Sequence, residues 1–178
     1  MVESNNIKVK ACVVGDSTVG KTCLVHHMGY NEFLYRPPEL ASNLTTKIEE
    51  VSLNIVDTCG QDAFRQLRIL NYNNVDFFAI CFALDNPKSL ENAVTFWKRE
   101  VIACGPPSAS IILVGCKSDL RDEKLKDGGI VVKTEEGEKY SKKHDFEGYV
   151  ECSAILGDNI DKVFMTGIKL VQGEDTEF

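Results

Sequence analysis

The amino-acid sequence predicts an α/β protein with a mostly parallel β-sheet that is covered by helices on both faces. Short, continuous apolar runs at residues 77–84 and 111–116 are typical of parallel strands that are buried on both sides. Segments with apolar residues at helical spacing lie between such runs, so strands and helices alternate along the chain. Ligands of this fold class bind beyond the carboxyl ends of the strands, so we expect function in the loops there.

The predicted elements follow one another without an internal repeat or a Pro/Gly-rich linker, and the length of 178 residues predicts one domain, 1–178. The predicted strands are residues 7–14, 44–48, 51–56, 77–84, 111–116 and 149–151. The predicted helices are residues 22–28, 90–101, a segment that begins near Thr134, and residues 160–171. Only Glu49 and Glu50 separate the second strand from the third, so we expect the second strand to be short or frayed.

Composition excludes several classes of protein. The net charge of −7 argues against a basic surface for nucleic acid and against attraction to anionic membranes. The seven cysteines form no CxxC pair, which does not support a zinc site and is typical of a reduced intracellular chain. A signal peptide, a membrane-spanning apolar run and a prenylation motif are all missing. We therefore expect a cytoplasmic chain without membrane insertion or lipid anchor; a trimmed native tail would allow membrane association.

The first loop carries the clearest motif. Residues 15–22 read GDSTVGKT and match GxxxxGK[ST], between a predicted strand and a predicted helix. The glycines let the backbone wrap a phosphate, and the loop amides and the helix N-terminus favour anions. In this pattern Lys21 reaches the outer phosphates and the Thr22 hydroxyl binds Mg²⁺. The motif predicts a nucleotide but not the base.

A second motif follows the third predicted strand. Asp57 ends that strand, and a carboxylate at this place can hold Mg²⁺ through water. Gly60 lets its backbone N–H meet the terminal phosphate, and Gln61 is placed to orient an attacking water. Asp57 and Thr22 are therefore the predicted metal ligands, and Gln61 and Lys21 are the predicted catalytic residues.

Two further loops predict the choice of base. Asp119 follows the strand at residues 111–116, and its carboxylate can accept two hydrogen bonds from guanine but not from adenine. The aliphatic part of Lys117 can pack on the flat base. Ser153 and Ala154 end the last predicted strand, where the Ala154 N–H can donate to the guanine carbonyl. Each short motif alone is weak, but all four loops occur in chain order at strand ends.

Together these motifs resemble the Ras superfamily of small GTPases and, more narrowly, its Rho-like branch. The resembling segments extend over most of the chain, from about Lys8 to Val171. The resemblance implies a P-loop fold with a six-stranded sheet, GTP or GDP and Mg²⁺ as ligands, and two switch regions near residues 31–46 and 59–72 that contact effectors and regulators. In the second switch, Arg65 and Arg68 suit either partner contact or an ordinary amphipathic turn. The whole predicted nucleotide-binding set is Asp16, Ser17, Thr18, Val19, Gly20, Lys21, Thr22, Cys23, Phe33, Gly60, Cys116, Lys117, Asp119, Leu120, Ser153, Ala154 and Ile155.

Departures from the family pattern bear on activity. Ser17 stands where most members have Gly, and its side chain would crowd Gln61 and an incoming arginine finger. Pro38 replaces the metal-binding Thr of the first switch and has neither a hydroxyl nor an N–H. We interpret Ser42, Thr45 and Thr46 as strand residues rather than as its substitutes, and we expect the first switch to stay open even with a GTP analogue. Cys116, where Asn or Thr is usual, is a weak hydrogen-bonding group.

Two functions remain open from the sequence. One is a signalling GTPase that hydrolyses GTP slowly, which Gln61 favours. The other is a GTPase-deficient adaptor that holds nucleotide as a structural ligand, which Ser17 and Pro38 favour. An ATP-dependent kinase is disfavoured by Asp119. Residues 120–133 resemble a shortened Rho insert, where Gly128 and Gly129 predict a turn instead of a complete helix.

Overall fold

The computed structural model describes residues 7–37 and 42–174. Its strands are β1 Ile7–Gly15, β2 Ser42–Ile48, β3 Val51–Asp57, β4 Phe77–Ala83, β5 Ser110–Cys116 and β6 Gly148–Glu151. Its α-helices are α1 Lys21–Tyr30, α2 Arg65–Leu70, α3 Pro87–Asn92, α4 Arg99–Cys104, α5 Arg121–Lys126, α6 Thr134–Lys143 and α7 Ile160–Gln172. A π-helical segment, Ala93–Lys98, joins α3 to α4, and a 3₁₀ turn, Asp62–Phe64, precedes α2.

The six strands form one sheet in the order β2-β3-β1-β4-β5-β6, and only the β2–β3 pair is antiparallel. This confirms the predicted α/β class with a mostly parallel sheet. In β1 the side chains alternate, so Val9, Ala11 and Val13 face one hydrophobic cluster while Cys12 and Val14 face another. Helices α1 and α7 cover the first cluster, and the continuous helical segment from α3 to α4 covers the second.

The prediction of a short or frayed second strand was wrong. Strand β2 pairs with β3 along its whole length, from Ser42 opposite Asp57 to Ile48 opposite Val51. Two residues are enough for the hairpin because Glu49 takes a left-handed conformation with φ of 52°. The interpretation of Ser42, Thr45 and Thr46 as strand residues is confirmed. The short helix α5 and the turn at Gly128, with φ of 73°, occupy the insert region.

A buried ion pair connects residues 59–72, the predicted second switch region, to α4, which continues the π-helical segment. Glu100 accepts hydrogen bonds from Arg68 Nε at 2.8 Å, from Arg68 Nη2 at 3.0 Å and from the Tyr72 hydroxyl at 2.8 Å. Arg65 Nε adds a fourth bond at 2.9 Å from a side chain that is half exposed. Arg68 also lies over the Trp97 ring at 4.6 Å. Arg68 is therefore a buried structural residue, which excludes it from direct partner contact in this conformation.

Among the helices of the described residues, none is both long enough and apolar enough to cross a membrane.

The buried ion pair generates a prediction about stability. Replacing Glu100→Gln should lower the free energy of unfolding by about 3–5 kcal/mol, because it leaves the buried Arg68 guanidinium without a counter-charge. Urea denaturation followed by tryptophan fluorescence measures this. Glu91→Gln is the matched control: Glu91 pairs with Lys88 at 2.6 Å on the surface, and its loss should change nothing measurable. Equal effects of the two substitutions would contradict the structural role of Glu100.

Candidate nucleotide-binding site

A cavity of about 530 Å³ opens at the carboxyl edge of the sheet. The loops after β1, β3, β5 and β6 and the start of α1 surround it, as the alternation of strands and helices predicts. Most of the residues predicted from sequence line it: Ser17, Thr18, Gly20, Lys21, Thr22, Cys23, Phe33, Asp57, Gly60, Gln61, Cys116, Lys117, Asp119, Leu120, Ala154 and Ile155.

The loop after β1 presents a cation without a counter-ion. Thr18, with φ of 66°, and Gly20, with φ of 117°, turn the chain into α1. Lys21 is only 5% exposed, and its ammonium donates to the Asp16 carbonyl at 2.6 Å. Burial lowers the pKa of Lys21, because desolvation disfavours the charged form. Beyond that carbonyl contact, no carboxylate within the described residues lies at ion-pair distance from Lys21, so an anionic ligand would compensate this charge.

The predicted metal ligands are in contact. Thr22 Oγ1 donates to Asp57 Oδ2 at 2.7 Å, while the buried Oδ1 has no hydrogen-bond partner among the described residues. Burial raises the pKa of Asp57, and the hydrogen bond from Thr22 opposes that shift. An unpaired, buried carboxylate oxygen next to a hydroxyl suits Mg²⁺. No cluster of three His, Cys, Asp or Glu in the described ranges could hold a metal, so a cation here needs further ligands from phosphate.

The segment after β3 packs directly on the phosphate loop. A Cβ atom added to Gly60 would lie 2.5 Å from the Gly15 carbonyl oxygen and 2.6 Å from the Ser17 amide nitrogen. Only glycine permits this approach, since both contacts are backbone atoms. Arg68 Nη1 donates to the carbonyls of Cys59 at 2.9 Å and Gln61 at 3.2 Å. The buried ion pair therefore also holds the backbone that carries Gln61, whose side chain is exposed at the cavity.

Two side chains hold the loops that are predicted to read the base. Ser153 Oγ donates to Asp119 Oδ1 at 2.5 Å and accepts from the Leu156 amide at 3.2 Å, which fixes the carboxylate. His27 Nδ1 on α1 donates to the Ala154 carbonyl at 2.7 Å and connects the last loop to the first helix. Lys117 has φ of 64°, a left-handed conformation that is costly for a residue with a side chain.

Three predicted binding residues have side chains that do not line the cavity. The Asp16 carboxylate turns toward the α3/π segment, where it accepts from Trp97 Nε1 and Asn92 Nδ2, each at 2.7 Å. Val19 packs in the hydrophobic core. The Ser153 hydroxyl donates to Asp119 and does not line the cavity. For these three residues, backbone groups therefore remain for direct contact with a ligand.

Sequence reasoning missed five residues that line the cavity: Leu24, Pro37, Thr58, Cys59 and Cys152. Thr58, Cys59 and Cys152 stand next to residues of recognised motifs, which is a signal that could have found them. Leu24 and Pro37 likewise stand next to Cys23 and Pro38, two residues that the sequence analysis had singled out. Pro38 lies outside the described residues, so the expectations about the first switch and its lost hydroxyl remain predictions.

Comparison with known proteins agrees with this geometry. The family model described as "Ras family" matches residues 10–173. The chain is 36% identical over 174 residues to the Rho-related protein racC of Entamoeba histolytica, an alignment that covers 92% of this chain and 89% of that protein. It is 33% identical over 181 residues to the Rho-related protein racL of Dictyostelium discoideum, with 95% and 92% of the two chains covered.

The contact between Ser153 and Asp119 predicts a loss of ligand affinity. Ser153→Ala should weaken GDP binding about 10- to 100-fold, because a hydrogen bond to a charged group contributes about 1.5–3 kcal/mol. Titration with a fluorescent GDP analogue measures the change. Ser141→Ala is the control, since the buried Ser141 hydroxyl has no hydrogen-bond partner among the described residues and lies on α6. An unchanged affinity in Ser153→Ala would show that the carboxylate does not need this support.

Proposed function

The chain belongs to the Ras family of small GTPases, among its Rho-related proteins, and we propose that it binds GTP and GDP with Mg²⁺ and hydrolyses GTP slowly. One arrangement of the described residues carries the proposal: an ammonium without a carboxylate partner and a carboxylate oxygen without a donor at one end of the cavity, and an oriented carboxylate in the base-reading loop. Each group matches a different part of the ligand, namely phosphate, metal and guanine.

Guanine selection rests on Asp119. Its carboxylate accepts from N1–H and from the exocyclic amine, a donor pair that adenine lacks. Because Ser153 orients one carboxylate oxygen, little rotational freedom is lost when the base binds. The stem of Lys117 and the ring of Phe33 both line the cavity and provide apolar surface for the flat base.

Phosphate and metal are held at the opposite end. Lys21 neutralises the outer phosphates, and the loop amides and the start of α1 add donors. Thr22 and Asp57 hold Mg²⁺, which when bound neutralises charge on the phosphate oxygens. Gln61 positions the attacking water, while the Gly60 amide faces the terminal phosphate. This is catalysis by positioning and electrostatics, with no covalent intermediate on the protein.

Slow hydrolysis follows from Ser17. The Gly60 backbone packs against the Ser17 amide, so the serine side chain stands beside the segment that carries Gln61. There it would crowd a water-orienting glutamine and a partner's arginine. An arginine finger contributes about 10³–10⁵ in rate, so the loss of its docking would impair stimulated hydrolysis more than intrinsic hydrolysis. The alternative function is a GTPase-deficient adaptor, which Ser17 also favours.

Effectors and regulators are the proposed partners, bound through residues 31–46 and 59–72 of a cytoplasmic protein. In the second of these segments Leu67 and Leu70 are 60% and 68% exposed, and Tyr35 is exposed in the first. Exposed apolar and aromatic side chains of this kind are typical of protein interfaces. Identification by mass spectrometry of the nucleotide that co-purifies tests the function as a whole, and a folded protein that retains no guanine nucleotide with Mg²⁺ would refute it.

The position of Ser17 predicts that its replacement by glycine raises the rate of GTP hydrolysis. Ser17→Gly should raise single-turnover GTP hydrolysis about tenfold, equivalent to about 1.4 kcal/mol of barrier, because Gln61 gains room to orient water. Release of phosphate from preloaded protein measures the rate. Ser108→Gly, the same change at an exposed turn, is the control. If neither the parent protein nor Ser17→Gly hydrolyses GTP over hours, the adaptor function replaces the enzyme.

The buried Asp57 oxygen without a donor predicts that GDP release depends on Mg²⁺. Asp57→Asn keeps the size of the side chain but removes its charge. We expect EDTA to accelerate GDP release from the parent protein but not from this variant. Stopped-flow fluorescence of a labelled GDP measures both rates. Asp62→Asn changes one exposed acid nearby and should keep the response to EDTA. A parent protein that releases GDP equally fast with and without EDTA would contradict the metal site.

A further inference from the structure

Three cysteines meet at the carboxyl edge of the sheet. Cys81 lies on β4, Cys116 ends β5 and Cys152 follows β6. All three are free, buried and part of the hydrophobic cluster beneath α1 and α7. None of the three thiols takes part in the proposed catalysis. Cys116 is expected only to form weak hydrogen bonds in the nucleotide site.

Cys116 and Cys152 lie opposite each other. Gly115 pairs with Glu151, and the ladder continues because the Cys152 amide donates to the Gly115 carbonyl at 2.8 Å. Neighbouring strands lie about 4.8 Å apart, within the Cα separation of about 4.4–6.8 Å that disulfides require. Cys81 is diagonal to Cys116, because Cys81 pairs with Val114. Cys152 is therefore the better-placed partner for Cys116.

The cavity gives small molecules a route to this pair. Cys116 and Cys152 are 3% and 1% exposed, yet both line the cavity that the nucleotide is proposed to fill. Cys116 lies directly beneath the phosphate loop, since a Cβ atom on Gly20 would be 3.2 Å from its Cβ and 3.8 Å from its Sγ. A bound nucleotide would cover this entrance.

The surroundings of Cys116 favour its thiolate, the reactive form. The neighbouring thiols of Cys152 and Cys81 and the nearby ammonium of Lys21 hold the pKa of Cys116 below its usual value. Contact with Cys116 and burial raise the pKa values of Cys81 and Cys152. Cys116 is therefore the sulfur of the cluster in which the thiolate is most favoured.

We propose that Cys116 is a peroxide-reactive thiol that forms a disulfide with Cys152 when the cavity holds no nucleotide. The Cys116 thiolate attacks hydrogen peroxide, the O–O bond breaks, and sulfenic acid and hydroxide form. The Cys152 sulfur then attacks the sulfenic sulfur, an S–S bond forms, and the displaced hydroxyl leaves as water with the Cys152 proton. In total, two thiols and one peroxide give one disulfide and two waters, with peroxide as the two-electron oxidant.

The disulfide would join the two base-reading loops, because Cys116 precedes Lys117 and Cys152 precedes Ser153. This consequence rests on the proposed function. If nucleotide excludes peroxide from the pair, the disulfide must in turn disfavour nucleotide, since the coupling of the two events is reciprocal. At a GDP concentration about 100-fold above its Kd, the rate of disulfide formation should fall about 100-fold, in proportion to the empty fraction.

The test compares the full chain stripped of nucleotide with the same chain loaded with GDP and Mg²⁺. Each sample receives hydrogen peroxide, free thiols are blocked with N-ethylmaleimide, and non-reducing peptide mass spectrometry identifies the pairs. The stripped sample should yield a linked Cys116–Cys152 pair that dithiothreitol reverses, and the loaded sample should yield about 100-fold less. Cys152→Ser should instead accumulate a dimedone adduct at Cys116, whereas the control Cys104→Ser, altered at the end of α4, should form the link normally.

Three outcomes would overturn the proposal: Cys116 unmodified while Cys23 or Cys59 reacts, a Cys116–Cys81 link, or equal rates in the stripped and loaded samples. Chromatography of the bound nucleotide separates these failures from a failure of the proposed function. Retained GDP with equal rates refutes the protection while the function stands. If the protein forms the Cys116–Cys152 link but never retains GDP, the disulfide proposal stands and the proposed function is refuted.

Discussion

Burial of charge at the carboxyl edge of the sheet is the constraint on which the site depends. Lys21 and Asp57 are both desolvated there, and the described part of the chain supplies neither a carboxylate for the ammonium nor a donor for one of the two carboxylate oxygens. Each buried ion costs several kcal/mol unless it is paired. The proposed metal-bound phosphate would compensate both at once. A ligand that binds only the folded chain stabilises it by about 4 kcal/mol at 1,000 times its Kd. In this fold, affinity for the ligand and stability of the protein are therefore coupled.

A second layer of contacts keeps these groups in place, and helices supply most of it. Trp97 fixes the Asp16 carboxylate from the π-helical segment, and Glu100 fixes Arg68, which binds the backbone of Cys59 and Gln61. His27 does the same for Ala154 from α1. The side chains that are proposed to contact the ligand stand on loops and at the ends of strands and helices, and such supports make the placement of the loops more precise. The π-helical segment lies where the supports of two loops meet, in agreement with the tendency of such segments to occur near functional sites.

The strands and the four loops could be predicted because their signals are local. Continuous apolar runs mark β4 and β5, and the spacing of the glycines and Lys21 marks the phosphate loop within eight residues. The role of Arg68 could not be predicted, since its partner Glu100 lies 32 residues away and no local pattern joins them. The full length of β2 was missed because the left-handed conformation of Glu49 is unusual for that residue type. The side-chain direction of Asp16 was missed because it depends on Trp97, a residue of a distant helix.

A slow enzyme and an adaptor would share every element of this fold. Every support described above acts on the backbone of the loops or on groups that bind the ligand, and each would be needed in either case. The proposed difference lies in the space beside Gln61, because the backbone of Gly60 packs against the amide of Ser17, an exposed residue. Binding energy that is equal in the ground state and the transition state holds the nucleotide without accelerating its cleavage. A single side chain at the phosphate loop can thus separate tight binding from turnover while the sheet, the supports and the base-reading loops stay the same.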